Sequence, residues 1–149
     1  MLMKLRVLAA GLLLASAMAC NAGRHSSSGF RLPPDGNPAQ GKIEFVALGC
    51  NTCHRVAGVD LPAPTVQPPV PVVLGGQVNT DPADGYLTTS IIFPSHRLAT
   101  YPKYMIANGD QSRMPSYADR ITVRQLTDVV AFLQAQYTVV PPAPSYMYH

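Results

Sequence analysis

The chain has 149 residues, with 11 Lys+Arg against 8 Asp+Glu and a formal net charge of +3. Loss of Lys4 and Arg6 with the leader described below leaves 9 against 8, a net of +1, so the charge balance gives no footprint for nucleic acid. Of three cysteines, only Cys50 and Cys53 keep a free thiol if Cys20 is lipidated, and no disulfide framework can then be drawn; the length left after leader, linker and tail is one domain of about one hundred residues.

Lys4 and Arg6 precede Val7 to Ala19 (VLAAGLLLASAMA), 13 residues without charge that end in small side chains before Cys20. Residues 1–19 have the pattern of a secretory signal, and the run is shorter than the about 20 apolar residues of a membrane-spanning helix. Export to a periplasm is the expectation. Ala17-Met18-Ala19 fits two cleavages. As Ala-x-Ala it releases a soluble protein with a free Cys20 thiol. As AMAC it resembles a bacterial lipobox, with Ala17 where Leu is usual, and Cys20 becomes an acylated N-terminus. A lone exported cysteine is a liability unless paired or modified, which favours lipidation of Cys20 and a membrane surface as one partner.

Residues 20–36 (through NAGRHSSSGFRLPPDG) read as a polar linker reaching on the order of 20 Å as a flexible coil. The domain spans 37–137. In it Asn37 is a good N-cap and Pro38 suits the first helical position. Ala39, Ile43 and Val46 share a face, and Gly49 can close this helix directly before Cys50. A Pro-rich loop over 60–84 follows. A short helix near Tyr86 to Phe93 ends at Pro94, and another runs from Pro102 to Asn108 with Gly109 as its cap. Thr122-x-x-Gln125 reads as a capping box, followed by Leu126, Val129, Val130, Leu133 and Tyr137 at helical spacing with Phe132 alongside. The tail over 138–149 is Pro-rich, with no regular structure expected. Little alternates like a strand, so the expected fold class is all-α.

The chemistry concentrates in GCNTCHR, where Cys50 and Cys53 are two residues apart and His54 follows at once. A thioredoxin-like dithiol would open a helix after a buried strand, but the residues before Cys50 read as helix. A tetrahedral zinc site wants four ligands, and beyond His54 the chain offers only isolated His25, His96 and His149. Cys-x-x-Cys-His as a c-type haem attachment uses all three residues: two thioether links to the porphyrin and an imidazole for the iron. One covalent haem c is therefore the expected cofactor, and it would add apolar volume to a domain with a limited core.

With GKIEFVALGCNTCH at its start, YLTTSIIFPS in the middle and SRMPSYADRITVRQLTDVVAFLQ at its end, the core resembles a class I monohaem cytochrome c. The middle segment is similar to the cytochrome domains fused to some haem–copper oxidase subunits. The resemblance implies a cytochrome c fold, with N- and C-terminal helices crossing and short helices and a Pro-rich loop wrapping one haem. It implies a close helix contact in which Gly41 and Phe45 face the aromatic Phe132, although Gly41 also reads as a tolerated helical glycine. It also implies a proline carbonyl that fixes the haem-ligating His54. Pro71 in PPVPVVLGG is the candidate, where the family's Gly-Pro-x-Leu pattern is not kept.

The iron's sixth ligand is expected to be Met114. It sits in a loop before the last helix, Pro115 stiffens the approach, and Met-Pro there is also the family's pattern. A thioether suits an electron carrier because it favours the ferrous state. Met105 reads as core and His96 as surface or as a neighbour of the ligands. Tyr117 would pack on the haem, hydrogen-bond a propionate, or simply fill the core. These readings lead to a periplasmic electron carrier rather than an enzyme, receiving electrons from a dehydrogenase and passing them to an oxidase or reductase. A haem sensor or peroxidase with an open distal site, or a cytochrome subunit of a larger oxidoreductase, stands as the alternative. Arg97, Lys103, Arg113, Arg120 and Arg124 outnumber Asp110 and Asp119 around Met114, either to steer an acidic partner or as an ordinary solvated surface.

Overall fold

The structure is a computed structural model and describes residues 30–67, 69–70 and 72–140. The leader and Cys20 lie outside the described residues. No helix among those described is long and apolar enough to cross a membrane.

Helix α1 (Pro38–Ala47) starts where the sequence places it. Asn37 Oδ1 accepts the N–H groups of Ala39 at 3.0 Å and Gln40 at 3.1 Å, and Pro38 sits in the first turn, where its missing donor costs nothing. At the other end the Leu48 N–H returns to the Glu44 carbonyl at 2.8 Å. Gly49 then takes φ +74, a left-handed conformation that costs glycine no side-chain clash.

The buried face of α1 is the Gly41 and Phe45 face that the resemblance implies, and not the face of Ala39 and Ile43 that helical spacing suggests. Gly41 and Phe45 are buried, whereas Ile43 is 61% exposed and Ala39 is exposed. Hydropathy alone points to Ile43, but α1 lies too close to the last helix for a branched side chain at the contact. A Cβ on Gly41 would collide with the Asp128 carbonyl oxygen and stand 2.7 Å from the Phe132 Cβ. Beside this contact the rings of Phe45 and Phe132 meet edge to face, centroids 5.6 Å apart and planes at 63°.

Between these helices lie α2 (Asp84–Ile92) and the single-turn α3 (Lys103–Ile106). The last helix, α4 (Val123–Gln134), opens on the capping box: Thr122 Oγ1 accepts the Gln125 N–H at 3.2 Å and Gln125 Oε1 accepts the Thr122 N–H at 3.1 Å. Its apolar stripe, Leu126, Val129, Val130, Phe132 and Leu133, forms the core with Phe45, Val56 and Leu87.

The expectation of an all-α fold is overturned: the domain is mixed, with four α-helices and three small two-stranded sheets among the described residues. Strand β1 (His54–Val56) runs parallel to β2 (Val72–Leu74), with His54 facing Val72 and Val56 facing Leu74 in register. Strand β3 (Gly76–Val78) runs parallel to β6 (Tyr137–Val139). Strands β4 (Ala107–Asn108) and β5 (Gln111–Ser112) form an antiparallel hairpin. Elements of two or three residues are too short to show a period of two, and two of the three sheets join segments remote in the chain, where no local signal exists. The hairpin also corrects two boundaries. The helix expected over 102–108 stops at Ile106, and Gly109 sits in the hairpin turn instead of capping it. Likewise α4 ends at Gln134, and Tyr137 to Val139, expected as the end of a helix and the start of an irregular tail, are strand.

Candidate functional site

The redirected chain at Gly49 enters a 3-10 turn, Cys50–Thr52, that presents both cysteines. Thr52 Oγ1 donates to the Gly49 carbonyl at 2.7 Å and the Cys53 N–H to the Cys50 carbonyl at 3.3 Å. Asn51 is buried and its Nδ2 donates to the Pro62 carbonyl at 3.3 Å, fastening the Pro-rich loop to the motif.

His54 opens β1. Its Nδ1 lies 3.3 Å from the Val72 carbonyl, the residue that faces it in the ladder. A carbonyl only accepts, so Nδ1 carries the hydrogen and Nε2 keeps its lone pair. Burial pushes the imidazole pKa down, against the opposing effect of the Val72 bond. The neutral ring is the form that ligates a metal. Pro71, expected to supply this carbonyl, lies outside the described residues, and the carbonyl at hydrogen-bonding distance is that of Val72.

Burial also pushes the Cys50 thiol up to about 11. A reactive dithiol needs the opposite, a thiolate stabilised near neutral pH. No group of three or more His, Cys, Asp or Glu side chains converges among the described residues, which leaves a zinc ion without a ligand set there.

Cys50, Cys53 and His54 line a cavity of about 380 Å³ that also takes Met114 and Tyr117 on its wall. That volume falls within the roughly 300–1,000 Å³ of ligand sites. Its apolar surface comes from all parts of the domain, with Phe45, Leu74, Leu87, Ile91, Val129 and Leu133 among the contributors. Met114 is positioned through its backbone: its N–H donates to Ser112 Oγ at 3.1 Å, while the Ser112 N–H donates to Ser95 Oγ at 3.0 Å.

Tyr117 is buried, and its hydroxyl donates to the Leu48 carbonyl at 3.0 Å, satisfying a carbonyl at the end of α1. Burial raises its pKa, and proximity to Cys50 adds to this. His96 is exposed, with Nδ1 2.9 Å from the Phe93 carbonyl, and is not among the described residues lining the cavity. Met105, Arg97 and Arg113 also line it; the sequence reads Met105 as core and sets both arginines in the basic cluster around Met114. A signal for Met105 was present, since Asn108-Gly109 is a hairpin-type dipeptide and a hairpin there brings its two flanks together.

The basic cluster around Met114 is partly neutralised. Lys103 pairs with Asp110 at 2.7 Å and Arg124 with Asp35 at 2.9 Å, while the Arg120 guanidinium lies 5.0 Å from the centre of the Tyr117 ring. Arg97 and Arg113 are the cations at the cavity wall.

Comparison with family models, with curated proteins and with solved structures returned no match in any of the three.

Proposed function

We propose that this chain is an electron-transfer protein that holds one haem c, attached through Cys50 and Cys53 and ligated by His54 and Met114. The observation that carries the reading is convergence. A thioether from the far end of the domain and the Cys-x-x-Cys-His segment share one apolar cavity of ligand size. The donor set fits the group: two thiols for covalent attachment, a neutral imidazole with Nε2 available, and a soft thioether.

When bound, the haem supplies one-electron redox chemistry at its iron. The chain's own residues supply the rest. Val72 holds the tautomer and orientation of His54, as partners of ligating histidines do. Phe45, Leu87, Val129 and Leu133 exclude water from the cavity, and a low-dielectric surrounding shifts the redox balance. Ser112 and Pro115 hold the Met114 loop. The resemblance to class I cytochromes c, the exported location and a lipid anchor at Cys20 belong to this proposal, as do redox proteins as donor and acceptor.

The test is mass spectrometry and absorption spectroscopy of the exported protein. The expected result is one haem that survives acid-acetone extraction, acyl chains on Cys20, and the weak long-wavelength ferric band of methionine ligation. A colourless protein, or pigment removed by acid-acetone, overturns the reading. Rapid CO binding by the reduced protein would point to an open distal site and thus to a sensor or peroxidase.

A further inference from the structure

A second methionine faces the same cavity. The hairpin pairs Ala107 with Ser112 and Asn108 with Gln111, and the Arg113 N–H donates to the Ile106 carbonyl at 2.8 Å, one step further along. Met105, in α3, lies just before this hairpin and Met114 just after it, so the two methionines flank one short ladder. Both are half-buried and both line the cavity. Among the described lining residues, Cys50, Cys53, His54, Met105 and Met114 are the sulfur and imidazole donors. The first three and Met114 have roles in the reading above, which leaves Met105 as the remaining soft donor.

The two methionines are held differently. Met114 has its N–H on Ser112 Oγ and a proline after it. Met105 belongs to α3, a single turn with no buried residue and no side-chain cap, in which Lys103 and Tyr104 are exposed. Such a segment, with few buried apolar contacts, is the kind that shifts at low cost. Methionine adds three rotatable side-chain bonds.

We propose that Met105 is a reserve axial ligand, a second thioether that takes the distal position of the haem when Met114 withdraws. The proposal rests on the haem reading above. With haem bound, Met105 Sδ would replace Met114 Sδ as the thioether donor, one ligand for one ligand, with no electron or proton transferred. The competing account, a methionine that only fills an irregular gap, differs in what happens when Met114 is removed.

The experiment uses the full haem-bearing chain with Met114→Leu, a substitution close in volume, and reads iron coordination by absorption and by X-ray absorption at the iron edge. The expected result is that sulfur stays bound to the reduced iron in Met114→Leu. It is lost in the Met105→Leu/Met114→Leu double variant, which then binds CO much faster. With Met114 intact, Met105→Leu should speed CO binding severalfold, because only Met114 itself is then left to recapture the vacated position. Sulfur-free iron in Met114→Leu overturns the proposal while the haem reading stands. Should Met114→Leu not fold, an unchanged CO rate in Met105→Leu overturns it instead. A wild-type chain without covalent haem overturns the reading beneath it.

Discussion

The backbone N–H of Asn37 donates to the Asp128 carboxylate at 2.8 Å, so a buried acid in the middle of α4 anchors the residue that caps α1. Asp128 also lies 4.0 Å from Arg124 Nη1. Asp128→Ala leaves the Asn37 donor without this acceptor beside a closely packed helix contact. The expected cost is about 1–3 kcal/mol, read as a lower denaturation midpoint at unchanged m. Asp128→Asn keeps an acceptor oxygen and should lose less. Equal losses for the two variants would show that the hydrogen bond is not what matters.

At the same contact Gly41→Ala sets two effects against each other. Alanine gains about 1 kcal/mol in helix propensity, but its Cβ meets the Asp128 carbonyl and Phe132. Neither of these can move without displacing α4, so overpacking of about 1–3 kcal/mol outweighs it. Ile43→Ala, on the exposed face, should stay within about 0.5 kcal/mol. Thermal unfolding of both variants checks the face assignment: a larger loss at Ile43 than at Gly41 would falsify it.

Tyr117→Phe removes the hydroxyl that the Leu48 carbonyl accepts. We expect a loss of about 0.5–1.5 kcal/mol and, if the haem reading holds, an unchanged haem spectrum. The alkaline limb carries a second signature. Burial raises the Tyr117 pKa above its ordinary 10.0, so at high pH the unfolded chain loses this proton first. The folded state's advantage is complete below pH 10.0 and is lost as pH rises through the raised value. Tyr117→Phe should flatten that fall in a pH series of denaturant melts, and a slope identical to wild type counts against the assignment.

Arg97 and Arg113 at the cavity wall predict a charge effect on electron transfer, conditional on the haem reading. With both changed to Gln, oxidation by anionic ferricyanide should slow and oxidation by a cationic cobalt complex should quicken. The two should converge as salt rises and the Debye length falls to about 10 Å at 0.1 M. Stopped-flow rates that change alike for both oxidants would show that these arginines do not steer.

Short-range interactions were legible because all their partners are near in the chain. The Asn37-Pro38 cap, the Thr122 and Gln125 capping box, the 3.6-residue stripe of α4 and the Cys50-x-x-Cys53-His54 spacing each lie within a few residues. They could be read before any tertiary structure was known. The face of α1 was legible only through the resemblance, which points to Gly41 and Phe45; hydropathy favours Ile43, and the choice is made by the shape of α4.

What the sequence by itself determined is the set of local devices: two cappable helices, a motif that pairs two thiols with an imidazole, and the methionine placed before the last helix. Only the tertiary structure decided that His54 is oriented by Val72, that Tyr137 belongs to a strand pairing with Gly76, and that Met105 and Met114 share one cavity. The reason is physical. A cap or a close ligand spacing is satisfied within one or two turns of chain, whereas a parallel ladder or a cavity wall is closed by groups whose separation in sequence carries no signal until the whole core has packed.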